Sequence, residues 1–510
     1  MKNMNRHNNQ ASQDDANNMA WAVCDNFRSV VNPNIYKNHV ITLLFIKYIS
    51  DIWKNHHERY QAEYGNEPEL IAELMKVERF VLPKEIDFYS LHERRHESGN
   101  GERIDQFLYN IEAANISKLR GVFQGISFNS NKFGDDKQKN ELLRYVLEDF
   151  SKVELHPHSS LATISDITGN TCEFLIKNFA ADSGEKANEC YTPPGVSDLI
   201  AELMEPQKGD AICDPACGSG SLLIKCSQKI RERFNGSKEY ALYGQEAVGS
   251  TWAMAKMNMF LHSEDNHRIE WGDTLRNPKL LTIDESLIRF DIVTASLPFS
   301  LEKWNHDEAE NDRWGRYHRG IPPKTKGDYA FILHMLETLK PDTGRMGVVM
   351  PHGILFRGAA EGKIRRILIE ENILDAVIGL PEKLFYGTAI PVVVLIFKKH
   401  KQDNKILFID ASHDHADGLN RNILRSEDIQ KIIETCRKRA SIDKYAYLAT
   451  LEEITKNDFN LNIPRYIKTS EEEEIIDFMT VLDDREKIKK TLLDIEKEMD
   501  GYLKELGYGS

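Results

Sequence analysis

Between about residue 170 and residue 465 the chain repeats one pattern: a short apolar run, a turn, then a helical stretch. The runs are DAICDPA, YALYGQEA, FDIVTAS, GRMGVVMPHG, ILDAVIGLP, PVVVLIFKK and KILFIDAS. Alternating with helical stretches, they predict βαβ units and a mostly parallel, doubly wound sheet, an α/β fold. In such a sheet ligands bind in a crevice at the carboxyl ends of the strands. The residues that end each run are therefore where chemistry is expected.

The flanks read differently. Residues 1–165 are mostly helical: NIYKNHVITLLFIKYISDIWKNHHERY places Val40, Leu43, Leu44, Tyr48 and Trp53 near helical spacing, and KNELLRYVLEDFSKV continues the pattern. From 466 the chain is charged and helical, and Ile488, Leu492, Ile495, Met499, Tyr502 and Leu506 form a heptad seam. That seam packs either on its own domain or on a partner helix. The 510 residues suggest roughly three domains at about 150 residues each. The expected division is a helical domain over 1–165, the α/β domain over 166–465 and a helical tail for subunit contact over 466–510.

Composition excludes several classes. The net charge of −14 argues against a chain that grips nucleic acid alone through a broad basic face, so a DNA substrate implies that another chain supplies most phosphate contacts. No apolar run approaches the roughly 20 residues needed to span a membrane; HVITLLFIKYIS is too short and contains Lys47. The polar, Asn-rich N-terminus is unlike a secretory signal. Seven cysteines without a CxxC pair fit a reduced, cytoplasmic setting.

Four consecutive strand ends carry candidate site residues. AICDPACGSGSLLIKCSQKI reads as strand, glycine turn and helix, with Gly218 and Gly220 allowing close backbone approach to a ligand. No Lys follows the second glycine, which excludes a phosphate-gripping loop of the Walker type, and a dinucleotide loop's third glycine is missing near Leu223. Asp214 at the loop's start can accept from a cationic amino-acid ligand. Glu246 ends the next run and can take both hydroxyls of a ribose, although an acid there is also simply a surface residue. Asp273, in IEWGDTL, is either a turn former or an acceptor for an adenine amino group. The fourth end is FDIVTASLPFSLEKW: a strand over Phe290 to Thr294, then Ser296-Leu297-Pro298-Phe299, either an ordinary turn or a pocket for a planar base.

With these motifs in order, the chain resembles the modification (M) subunits of type I restriction-modification systems, which are S-adenosylmethionine-dependent DNA adenine-N6 methyltransferases. DPACGSGSLL matches the family's cofactor loop, ECYTPPGVSDLIAELM resembles its tenth motif, and the resemblance runs from about residue 20 to 465. It implies a Rossmann-like methyltransferase domain with a helical N-terminal domain. It further implies S-adenosyl-L-methionine contacts from Glu189, Cys190, Tyr191, Thr192, Pro193, Pro194, Asp214, Gly218, Ser219, Gly220, Ser221, Glu246 and Asp273. The implied catalytic loop is Ser296, Leu297, Pro298 and Phe299.

That loop departs from the family's Asn-Pro-Pro-Phe/Tyr. There the Asn oxygen and the first Pro carbonyl accept the two amine hydrogens of a flipped adenine, and the aromatic ring stacks on the base. Ser296 replaces the Asn and Leu297 the first Pro. The Leu297 carbonyl remains an acceptor, but a hydroxyl is shorter than an amide and accepts less strongly. Reduced or lost methylation is expected. The alternatives are a catalytically dead, DNA-clamping scaffold subunit, or a cytosine-N4 methyltransferase, in whose relatives serine holds this position.

The resemblance also implies partners: a specificity (S) subunit that selects the DNA site, a second M subunit, a restriction (R) subunit, and double-stranded DNA with a flipped adenine. Arg319, Lys324 and Lys326 are read as phosphate contacts or as a solvated basic loop. The pairs His156/His158 and His413/His415 lack an evident third ligand and are read as surface loops, with no metal site expected.

Overall fold

The computed structural model describes residues 2–28, 30–152, 161–182, 191–299, 301–386, 388–468 and 478–506. Its centre is a nine-stranded sheet of β1 (Ala211–Asp214), β2 (Ala241–Glu246), β3 (His267–Trp271), β4 (Ile292–Ser296), β5 (Arg345–Pro351), β6 (Leu374–Gly379), β7 (Val392–Lys398), β8 (Ile406–Asp410) and β9 (Ala446–Ala449). The order is β3-β2-β1-β4-β5-β7-β6-β8-β9. Five ladders are parallel, β1 with β2 and β4, β2 with β3, β4 with β5, and β6 with β8. β7 runs antiparallel between β5 and β6, and β9 antiparallel to β8.

The chain winds outward from β1 through the helices Ser221–Arg233 and Gly249–Leu261 to β3, then returns to the other flank of β1 as β4. The winding reverses between β1 and β4, and there the carboxyl ends of neighbouring strands diverge to leave a crevice.

β4 begins two residues later than the sequence suggests, at Ile292 instead of Phe290. Asp291 sets this register: its carboxylate accepts from Ala211 N–H at 2.9 Å and from Lys340 Nζ at 2.8 Å. Ser296 thereby becomes the last strand residue, paired with Val349 of β5.

Helices cover both faces. One core continues from the N-terminal helices, through Leu175 and Leu199, to one face of the sheet at Ile212, Val394 and Ile409. A second core, with Val293, Leu297, Trp304 and Val348, fills the opposite face. The run HVITLLFIKYIS is buried on all sides within the helix Pro33–Tyr64. Its one cation, Lys47, is neutralised by Asp51 at 2.6 Å. No described helix is long and apolar enough to cross a membrane. The helix Leu161–Asp182 runs across residue 165 and packs on the first two helices of the chain, Lys2–Arg28 and Pro33–Tyr64, and on Gly249–Leu261.

The tail helix Phe478–Glu505 leaves its seam bare: Ile488, Leu492, Ile495, Met499 and Tyr502 are all more than half exposed, at 69, 54, 57, 53 and 58 %. Of the two readings of the seam, packing on its own domain does not hold.

Candidate active site at the strand ends

The turn after β1 carries two glycines in the left-handed region, Gly218 at φ 55° and Gly220 at φ 80°. A Cβ on Gly220 would lie 2.7 Å from the Met259 methyl, which would have to move aside, and the left-handed backbone there would strain any other residue. Glu246, at the end of β2, accepts from Gly218 N–H at 3.0 Å with one oxygen and from Val248 N–H at 2.8 Å with the other. The carboxylate expected to meet a ribose also fastens the glycine turn to the start of the next helix.

Asp214 ends β1 and is 3 % exposed. Among the described residues its carboxylate accepts one hydrogen bond, from Ala216 N–H at 3.0 Å. Burial, reinforced by the nearby Glu246 charge, pushes its pKa up to about 8 against the pull of that one donor. A buried carboxylate with so few donors is poorly satisfied alone, and a cation-bearing ligand would satisfy it. This fits a methionine-type ammonium.

Asp273 follows β3 as a turn former: its carboxylate accepts from Leu275 N–H at 2.9 Å and Arg276 N–H at 3.1 Å and pairs with the Arg276 side chain at 3.3 Å. Gln245 fixes the same turn, donating to the carbonyls of Gly272 and Asn277 and accepting from Lys279 N–H. Arg316, 2 % exposed and paired with Asp312, donates to the Thr274 and Leu275 carbonyls, clamping the segment after β4 to the turn after β3.

At the end of β4 the loop divides between the two cores. Leu297 is 2 % exposed in the second core. Phe299 is half-buried against the first, its ring edge-to-face with Phe385 at 5.6 Å and 68°. Tyr386 follows in the same β6–β7 connection and lies 6.1 Å from Tyr191, with the Arg421 guanidinium 4.2 Å over its ring. Tyr191 and Thr192 lead into the helix Pro194–Met204, with Pro193 at its N-cap. Burial, then the nearby Glu173 charge, raises the Tyr191 pKa. Glu189 and Cys190 lie outside the described residues.

Ser219 and Ser221 are committed within the protein. The Ser221 hydroxyl donates to Glu173 at 2.8 Å, and the Ser219 hydroxyl lies 2.7 Å from that of Ser221. Glu173, Gln245, Arg316, Phe385, Tyr386 and Arg421 were not singled out from the sequence. Only the aromatic pair in KLFYGT offered a signal, and its register next to Phe299 depends on β7 turning back.

Arg319 fits neither of its readings: it is 9 % exposed and paired with Glu337 at 2.5 Å and Glu371 at 2.8 Å, so it neither reaches phosphate nor sits in solvent. Lys324 is exposed and pairs with Asp307 at 2.8 Å. His415 lies 3.7 Å from Asp417, and His156 and His158 fall outside the described residues.

Comparison with known proteins fixes the family. Residues 163–475 match the N-6 DNA Methylase family and residues 16–150 the HsdM N-terminal domain family. The chain belongs to the type I restriction-modification methylase subunits. It is 31 % identical over 486 residues to the type I restriction enzyme MjaVIII methylase subunit of Methanocaldococcus jannaschii, covering 92 % of this chain and 81 % of that one. It is 34 % identical over 411 residues to the MjaVII methylase subunit of the same organism, covering 77 % and 67 %. Its fold superposes on the type I restriction-modification methyltransferase subunit of Streptococcus thermophilus with a TM-score of 0.78 at 32 % identity, over 89 % of this chain and all of that one. An M subunit of this family implies DNA methyltransferase chemistry with S-adenosylmethionine as donor.

Proposed function

We propose that this M subunit transfers a methyl group from S-adenosyl-L-methionine to adenine N6 in double-stranded DNA, at a site chosen by a separate S subunit, and does so at a reduced rate. Residues 166–465 hold the chemistry, residues 1–165 form the helical N-terminal part and residues 466–510 serve subunit contact. Cofactor binding rests chiefly on Asp214, buried and short of donors at the winding reversal.

When bound, S-adenosylmethionine supplies an electrophilic sulfonium methyl. The chain's residues do the rest. Asp214 takes the ammonium, Glu246 takes the ribose hydroxyls, and Asp273 accepts from the adenine amino group. Tyr191, Thr192, Pro193 and Pro194, with Glu189 and Cys190, close over the methionine part. The target base leaves the duplex, which costs a few kcal/mol, and lies against the open part of Phe299. The Ser296 hydroxyl and the Leu297 carbonyl then accept its amine hydrogens, leaving the nitrogen lone pair aimed at the methyl group. Proximity and orientation lower much of the remaining barrier.

The bare seam of the tail helix, with the acidic net charge, supports a partner that completes the DNA grip: the S subunit, with a second M subunit and an R subunit in the full cytoplasmic complex. Truncation after residue 470 is expected to abolish assembly with S while leaving cofactor affinity unchanged, read by size-exclusion chromatography and calorimetry.

Two other readings follow from Ser296: a cofactor-binding scaffold without turnover, and cytosine-N4 methylation. Transfer of labelled methyl to DNA by the reconstituted M–S complex, with mass analysis of the modified base, separates all three. N6-methyladenine supports the proposal, N4-methylcytosine replaces the substrate, and no transfer under saturating cofactor leaves the scaffold.

A further inference from the structure

One half-buried carboxylate has no place in the chemistry above. Glu173 lies in the middle of Leu161–Asp182, a helix outside the sheet, and reaches the glycine turn from the far side. One of its oxygens accepts from the Ser221 hydroxyl and from Asn258 Nδ2, both at 2.8 Å, and its other oxygen lies 2.9 Å from the same hydroxyl. With the Ser221 proton directed at Glu173, Ser219 donates to Ser221 across 2.7 Å. Asn258 Nδ2 also donates to the Ser219 carbonyl at 2.9 Å, closing a ring of contacts around the turn. The Asn258 Oδ1 atom is buried and has no partner among the described residues. Turning the amide over would set that oxygen against the Ser219 carbonyl and the carboxylate, so the two acceptors dictate its orientation.

Ser221 is the first residue of the Ser221–Arg233 helix, so the carboxylate also stands at the positive end of that helix. The helix that carries Glu173 is in turn tied to the first helix of the chain, where Gln13 donates to the Ile167 carbonyl and the Thr171 hydroxyl.

We infer that Glu173 is the positioning residue of the cofactor turn, holding Ser219 and Ser221 so that Gly218 and Gly220 present their backbone to the ligand, and that it thereby couples the N-terminal helices to cofactor affinity. The inference rests on the proposed cofactor site. Glu173 itself acts through hydrogen-bond acceptance, so a glutamine can replace it: its oxygen takes the two donors and its amide faces the Ser221 oxygen. Burial, which raises the Glu173 pKa against the pull of Asn258 and Ser221, favours the neutral form that glutamine imitates.

The test uses the full-length chain, S-adenosyl-L-homocysteine as probe, calorimetry for affinity and amide hydrogen exchange for the turn. Glu173→Ala is expected to weaken binding about tenfold, the size of one lost hydrogen bond that leaves its donors unpaired, and to speed exchange across residues 218–221 by a similar factor. Glu173→Gln is expected to stay within about threefold of the parent in both, since it keeps the acceptor. Unchanged affinity in Glu173→Ala overturns the inference, and so does equal damage by both variants. If Glu173→Ala does not fold, Ser221→Ala carries the test, with about a fivefold loss of affinity expected and no change overturning it. A parent chain that does not bind the probe removes the cofactor site and this inference together, whereas a parent that binds while Glu173→Ala binds equally well removes this inference alone.

Discussion

At the β1–β3 end of the crevice the functional groups are carboxylates tied down by backbone N–H donors; at the β4 end they are a hydroxyl, a carbonyl and a ring, placed by packing. Glu246 shows the first kind, with one oxygen on Gly218 N–H and the other on Val248 N–H. Leu297 and Phe299 show the second, two residues apart and anchored in opposite cores. In the polar half the groups proposed to meet the ligand also hold the turns, since Asp214, Glu246 and Asp273 each accept from backbone N–H. In the packed half a leucine fills a core where the family resemblance expects proline, and its main-chain carbonyl is still an acceptor.

The sharpest way to break this contrast is to restore the family's amide. Ser296→Asn alone is expected to raise the methylation rate of the M–S complex about 10²-fold, the usual size of one transition-state hydrogen bond. No gain in single-turnover rate would move the fault from Ser296 to the rest of the loop. Leu297→Pro is expected to act oppositely. It removes a buried side chain from the second core, costing about 2 kcal/mol by urea unfolding, without adding an acceptor. The double change therefore mixes a gain in chemistry with a loss of packing, and the single substitutions separate them.

The two halves also differed in how far the sequence disclosed them. Glycines and acids at strand ends are local signals, so Asp214, the glycine turn and Glu246 were visible before any fold was drawn. Leu297 was visible as a departure but not as a core residue, because the core it joins includes Val348 and Met350 from a later strand. The direction of β7 was hidden for another reason. Its burial leaves no polar face, and a strand buried on both sides carries no alternation to orient it. The reversal of β7 brings Phe385 and Tyr386 over the β4 end, so the aromatic wall stayed unseen with it. Glu173 was hidden because the helix also carries Asp166, Lys177 and Asp182, and nothing in the sequence marks which of its charged positions turns inward.

The smallest effects test the polar half. Asp214→Asn keeps the shape but removes the charge, and is expected to weaken S-adenosylhomocysteine binding about tenfold, at the low end for a charge-assisted hydrogen bond. The same change should stabilise the empty chain at pH 8, since it removes a buried carboxylate with a single donor. The pH dependence follows from the raised pKa of about 8. A carboxyl that holds its proton more tightly folded than unfolded stabilises the empty protein at low pH, and that contribution is lost as pH rises from about 4 through about 8. Ligand affinity runs the other way. The ammonium prefers the ionised carboxylate, so affinity should climb between pH 6 and pH 8 by up to about tenfold, in step with deprotonation. In Asp214→Asn both slopes should flatten. Slopes that persist in the variant would assign the titration to another group and leave Asp214 as a packing residue of the turn.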